Sequence, residues 1–122
     1  MEKRWEYSSM YDVETRHNGH FFDADAKRFF RSRIGTTVWN VKGNPGYGLF
    51  TTSEQGPSGE RLFTVRMIGP EGSIDTVGEF NVHSGSVARR MASTLSDDPA
   101  KLKALLLASG HSASHAAEGL VA

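Results

Sequence analysis

Four histidines stand in two close pairs. His17 and His20 are three residues apart, and His111 and His115 are four apart. On a helix either spacing places two imidazoles on one face, an arrangement that suits a metal ion. The chain has no cysteine, and no carboxylate stands beside either pair in a known ligand pattern. We therefore expect no metal site and assign the four histidines to solvent or to single hydrogen bonds.

The motifs of nucleophilic catalysis and of phosphate binding are equally weak. The string nearest to a nucleophile elbow, "GHSASH" at 110–115, does not match G-x-S-x-G and falls in a predicted tail rather than at a strand-to-helix turn. The glycine-rich "GNPGYG" at 43–48 lacks a following helix and the Lys-Ser/Thr of a P-loop, so we interpret it as a hairpin turn. We predict no enzymatic activity, no catalytic residue and no cofactor.

A basic and aromatic segment is the stronger candidate for binding. In "GHFFDADAKRFFRSRIG", residues 19–35, four cations lie within about two helical turns: Lys27, Arg28, Arg31 and Arg33. With the neighbouring phenylalanines they could bind single-stranded nucleic acid. The alternative is an amphipathic helix over residues 24–33 whose phenylalanines fill a core. The helical spacing of Phe29 and Phe30 and the zero net charge of the chain favour burial of these two rings in a core. Core packing does not explain Arg28 and Arg31.

The N-terminal 18 residues are polar with isolated aromatic residues, which include Trp5, Tyr7 and Tyr11. Large aromatic side chains bury much area at interfaces for little lost entropy. We expect residues 1–18 to form an extended arm that docks either on its own domain or on a partner. The candidate partner-binding residues are thus Trp5, Tyr7, Tyr11, Lys27, Arg28, Arg31 and Arg33.

The elements that must position these residues follow from periodicity. Four β-rich runs at 36–41, 47–54, 60–68 and 73–82 are separated by Gly/Pro turn signals, which predicts an antiparallel meander.

Two helices follow the meander in the sequence. Ser84 or Ser86 caps the first, whose buried stripe is Val87, Met91, Ala92 and Leu95. Asp98 and Pro99 begin the second, which buries Leu102, Leu105 and Leu106 and stops at Gly110.

These elements define the predicted fold class, which is a single α+β domain over residues 19–110. It consists of an N-terminal helix, a four-stranded antiparallel β-meander and two C-terminal helices packed on one face. Residues 111–122 are predicted to form a flexible tail.

Composition limits the class of partner. Fourteen Lys and Arg balance fourteen Asp and Glu in 122 residues, so no overall field attracts DNA, RNA or anionic lipid. No apolar run approaches the ~20 residues that span a bilayer, and the N-terminus has no signal-peptide pattern. The absence of cysteine suits a reducing compartment. We expect a cytoplasmic protein without membrane partners.

Three sequence blocks in a fixed order carry a resemblance. "GHFFDADAKRFFRSRI", a "TTSE" segment and a closing "DTVGEF" strand resemble a group of small bacteriophage and prophage proteins over about residues 19–95. The group has no assigned activity, so the resemblance implies a context rather than a site. We expect a non-enzymatic inhibitor of a host macromolecular complex, specifically an anti-CRISPR-like inhibitor of a defence system. The alternative is a nucleic-acid-binding phage accessory protein that uses the basic face of the first helix.

Overall fold

The computed structural model describes residues 3–6, 8–9, 12, 36–70, 74–77, 82–108 and 118–122. Within them the chain forms an α+β fold with five strands and two helices. The strands are β1 Arg4–Glu6, β2 Thr37–Asn40, β3 Gly48–Gln55, β4 Arg61–Ile68 and β5 Ile74–Thr76, and the helices are α1 Gly85–Ser96 and α2 Pro99–Ala108. The helix predicted over residues 24–33 lies outside the described residues.

The sheet is antiparallel, with the strands in their order along the chain. The four predicted strands are present, and β3 and β4 form its longest ladder, from Gly48 opposite Ile68 to Gln55 opposite Arg61. The prediction of four strands was wrong in number, because Arg4–Glu6 pairs with β2 as a fifth strand at the edge. A three-residue strand is too short to show an alternating pattern in the sequence.

The helix-covered face of the sheet carries the largest apolar cluster among the described residues. It joins buried side chains of β2, β3 and β4 to both helices and includes Leu49, Val65, Met67 and Val77. The two-residue period of a strand places Leu49, Val65 and Met67 on the same side of the sheet, where all three are fully or almost fully buried. Packing of both C-terminal helices on one face agrees with this cluster.

The opposite face is also largely buried. Val38, Phe50 and Ile68 are fully or almost fully buried there. Beside them, Arg66 donates from Nε to Thr52 Oγ1 and from Nη1 to Thr76 Oγ1, both at 2.9 Å. The guanidinium thus ties β4 to both of its neighbouring strands.

Helix α1 begins at the predicted cap and buries most of the predicted stripe. Ser84 Oγ accepts a hydrogen bond from the backbone N–H of Val87, as expected of an N-cap. Ala92 and Leu95 are buried as predicted, and Met91 packs against the cluster. Val87 is 41% exposed, so its assignment to the stripe was wrong. Ala88 is buried in its place, because a small side chain lets the helix backbone approach the sheet closely.

Helix α2 also begins as predicted. The Asp98 carboxylate accepts a hydrogen bond from the Lys101 backbone N–H, and Leu102 and Leu106 are buried. Leu105 is half-buried and packs against the same cluster. The predicted stop at Gly110 lies outside the described residues.

The last strand is shorter than the predicted run of 73–82. Arg66 pairs with Thr76, and Phe63 pairs with Val82. Three steps along β4, from Arg66 to Phe63, therefore match six steps along the later segment, from Thr76 to Val82. An extra three residues cannot continue one alternating ladder. Thr76 thus lies on the Arg66 face of the sheet and Val82 on the Phe63 face, so the predicted run of 73–82 does not form one regular strand.

The C-terminal residues 118–122 contact the body of the fold. Leu120 is buried in the helix-side cluster, and Lys103 Nζ donates to its carbonyl at 2.8 Å. The Asn44 side chain donates to Val121 O and accepts from Val121 N. The division of the chain at 18/19 and 110/111 stays a prediction.

Candidate binding groove

A groove of about 310 Å³ lies at the N-terminal end of α1, on the helix-covered face of the sheet. In the described part of the chain it is lined by Thr36, Thr37, Trp39, Thr51, Thr52, Ser53, Phe63 and Arg89. We call these residues the Arg89 groove. They come from β2, β3, β4 and α1, so the sheet and the helix build the groove jointly.

Strand register explains why hydroxyls and rings share one surface. Trp39 stands opposite Leu49, and Ser53 stands opposite Phe63. Thr51 precedes Ser53 by two residues and so lies on the same face. Trp39 is almost fully buried and Phe63 is half-buried, whereas Ser53 is exposed. The groove therefore has an aromatic base and a hydroxyl rim.

Arg89 supplies the charge in this groove. A Cβ built on Gly85 would lie 3.1 Å from Arg89 Nη1 and 3.2 Å from Phe63 Cε1. The Arg89 guanidinium therefore folds back by one helical turn toward the start of α1. Its Nη1 and the edge of the Phe63 ring both lie next to the position that a Gly85 side chain would occupy. The absence of a side chain at Gly85 leaves the space in which both groups fit.

Arg89 lies close to the start of a helix, and no carboxylate pairs with it in the described part of the chain. The start of a helix carries a partial positive charge, which a carboxylate in the first turn usually offsets. The first turn of α1 contains no acidic residue. Among the described residues Arg89 has no hydrogen-bond or ion-pair partner. A guanidinium and a helix N-terminus thus add their positive potentials at one place.

A second groove of about 320 Å³ adjoins the first at Ser53 and continues along the β3–β4 hairpin. Arg61 Nη1 donates to Ser53 Oγ at 3.1 Å, which leaves the Ser53 hydroxyl hydrogen available to a ligand. The Glu60 carboxylate accepts from the Ser58 backbone N–H at 2.9 Å. This hairpin surface therefore carries one charge of each sign.

The lining of the Arg89 groove suits recognition of an anion. Guanidinium stays protonated at working pH, and its N–H groups match the two oxygens of a carboxylate or phosphate. Hydroxyls can donate a further hydrogen bond, while the rings provide apolar contact. The described lining residues therefore combine one charged donor with neutral hydroxyls and apolar rings.

Of the predicted partner-binding residues, the structure describes Trp5. Its indole Nε1 donates to Asn40 Oδ1 at 2.7 Å, and its pairing with Val38 places it on the face opposite the Arg89 groove. The other six lie outside the described residues: Tyr7, Tyr11, Lys27, Arg28, Arg31 and Arg33. Trp5 thus helps to anchor β1 in the sheet, whatever partner it also contacts.

The groove residues were not predicted as a site from the sequence. Arg89 lies outside the stripe predicted for this helix, and an exposed arginine is common on helices. The hydroxyls of Thr51 and Ser53 follow the period of a strand, a signal that marks one face but not what lies over it.

The described residues form an α+β fold with a groove beside the sheet whose lining includes one arginine. Residues 7–93 match the sequence profile of DUF7447, a family of unknown function. The chain belongs to this family. No match was found among curated proteins or among solved structures.

The described residues also bear on two other kinds of feature, a membrane-spanning helix and a metal site. No helix in this part of the chain is long and apolar enough to cross a membrane. The same residues contain no group of three or more His, Asp or Glu side chains that could hold a metal ion.

Proposed function

We propose that this protein is a non-enzymatic phage protein that binds a host macromolecular complex and blocks it, with a CRISPR effector as the first complex to test. The observation that carries the proposal is the Arg89 groove, whose donors, hydroxyls and rings suit recognition of a partner's surface. The resemblance of its sequence blocks to phage proteins supports the context.

The position of the groove supports binding to a large partner. It opens at the N-terminal end of α1 and continues onto the hairpin surface through Ser53. Two adjoining shallow grooves offer more contact to an extended surface than to a compact small molecule, which a deep pocket would enclose.

Two linked experiments test the proposal. The tagged protein is expressed in bacteria that carry an active CRISPR system and is purified from their lysate, and the same cells are challenged with a targeted phage. We expect one effector complex to copurify and phage plating to recover. If the cells keep full phage resistance and no specific partner copurifies, the proposal is wrong.

Variants separate the surfaces. Reversing charge at Arg28 and Arg31 tests the predicted basic helix, and Arg89→Glu tests the groove, with Arg90→Glu as the matched control on the same helix. Arg90 is exposed but does not line the groove. Loss of inhibition with Arg89→Glu and retention with Arg90→Glu would assign the contact to the groove.

The same variants address the nucleic-acid alternative. Lys27, Arg28, Arg31 and Arg33 would neutralise phosphates, so affinity for single strands would fall steeply with salt. Binding curves that are flat at low salt exclude this alternative.

A further inference from the structure

We infer that the Arg89 groove binds the carboxylate of an acidic side chain on an extended segment of the partner protein. This inference rests on the proposed function, because it names the chemistry by which the proposed partner is recognised. It assigns the anion-recognising role to Arg89 and supporting roles to Thr51 and Ser53.

The first argument is a positive charge that has no carboxylate partner among the described residues. Arg89 folds back to the start of α1, where the helix dipole is positive and no acidic residue stands in the first turn. A cation placed there without a carboxylate is electrostatically unfavourable. A ligand carboxylate would interact favourably with both the guanidinium and the helix end.

The second argument is the space around the guanidinium. Gly85 provides no Cβ, and a Cβ there would come within 3.1 Å of Arg89 Nη1. Arg89 Nη1 and the edge of the Phe63 ring can therefore both lie beside the start of α1, and Arg89 stays accessible to a ligand because it is exposed. A planar guanidinium presents its donors in a fixed fork, so less entropy is lost for each hydrogen bond that it forms with a carboxylate.

A protein carboxylate fits better than the phosphate backbone of a nucleic acid. The described lining of the groove presents one cation, whereas binding of a nucleic-acid backbone neutralises several phosphates in a row. Carboxylates also stand nearby: Glu6 faces Thr37 at the groove, and Glu60 lines the adjoining one. They would repel a continuous polyanion more than a single acidic side chain.

The size and lining of the groove agree with this occupant. A volume of about 310 Å³ is at the lower end of the range for ligand sites and accommodates a side chain with its flanking backbone. The hydroxyls of Thr51 and Ser53 are placed by the strand period on the same face as the ring of Phe63. They can donate to the carboxylate or to the peptide backbone beside it.

The test is an NMR titration of the ¹⁵N-labelled full chain at low salt. The probes are the capped peptide Gly-Gly-Glu-Gly-Gly, the same peptide with Gln in place of Glu, inorganic phosphate and a thymidine decanucleotide. We expect the Glu peptide to shift the amide signals of Thr51, Ser53 and Gly85 with millimolar affinity. The Gln peptide should bind about tenfold more weakly, because it lacks the charge-assisted hydrogen bonds.

Matched variants identify the cation. Arg89→Gln should weaken binding of the Glu peptide about tenfold, and Arg90→Gln should leave it within about twofold, because only Arg89 lines the groove. Both residues are exposed, and unchanged amide spectra outside the groove verify that each variant folds.

Three results would overturn the inference: equal binding of the Glu and Gln peptides, equal binding by Arg89→Gln and wild type, or tighter Arg89-dependent binding of phosphate or the decanucleotide. Failure here is distinguishable from failure of the proposed function. Host inhibition that survives Arg89→Gln leaves the proposed function standing and removes the carboxylate contact. If the peptide binds in an Arg89-dependent way but the protein neither inhibits the host complex nor copurifies with a partner, the carboxylate site stands and the proposed function is wrong.

Discussion

The attachment of the C-terminal segment makes a sharp prediction about stability. Leu120 is 2% exposed and belongs to the helix-side cluster. Truncating a buried leucine to alanine costs about 2–5 kcal/mol through lost burial and the cavity left behind. We expect Leu120→Ala to lower the free energy of unfolding by about 2–4 kcal/mol, since a short terminal segment can partly relax into the cavity.

Urea denaturation followed by tryptophan fluorescence measures this effect. The matched control is Val121→Ala at the next residue, whose side chain is 67% exposed, and its cost should stay below about 0.5 kcal/mol. If Leu120→Ala also lies within about 0.5 kcal/mol of wild type, residues 118–122 do not dock as the structure indicates.

The hydrogen bonds of Asn44 provide a second readout of the same contact. Its side chain exchanges two bonds with the Val121 backbone, at 3.0 and 2.7 Å, donates a third to the Lys42 carbonyl at 2.9 Å, and is 4% exposed. Each bond contributes about 1 kcal/mol, so Asn44→Ala should cost about 2–3 kcal/mol. Most of that cost should vanish in a chain that lacks residues 118–122, because the partner backbone is gone. A cost that is unchanged by the truncation would contradict the coupling.

Three further predictions concern the sheet and helix α1. Gly48→Ala should lower the free energy of unfolding by about 1–3 kcal/mol, because its Cβ would clash with Val38 Cγ1. Thermal unfolding measures this loss, and a variant as stable as wild type would contradict the close packing of Gly48 on Val38. Ser84→Ala should cost about 1 kcal/mol by loss of the helix cap, with Ser84→Asp restoring it in the same assay. Lys3→Gln breaks the ion pair with Asp97, but both side chains are half-exposed, so urea denaturation should detect less than about 0.5 kcal/mol.

Local signals in the sequence predicted most of the described fold. The helix caps at Ser84 and Asp98 are confirmed because capping depends on a few neighbouring residues. The four strands of the meander are present because Gly and Pro separate them at each turn. Gly59, for example, adopts a φ of 82° between β3 and β4, a conformation that other residues rarely take.

The errors occurred where tertiary contacts outweigh local pattern. Val87 is more apolar than Ala88, yet Ala88 is buried because α1 approaches the sheet closely. The strand at Arg4–Glu6 depends on pairing with a segment more than 30 residues away, and its side chains alternate between exposed and half-buried. Neither feature is visible in a window of a few residues.

The Arg89 groove shows why a binding site of this kind is hard to predict from one sequence. Each of its residues has an ordinary local role: Thr51 and Ser53 suit a strand, and Arg89 suits an exposed helix face. The Arg89 guanidinium lies at the start of the helix beside Phe63 only because α1 packs on the sheet at Gly85, which has no side chain. The position of this guanidinium is a property of the assembled fold, and the peptide titration measures whether a carboxylate binds there.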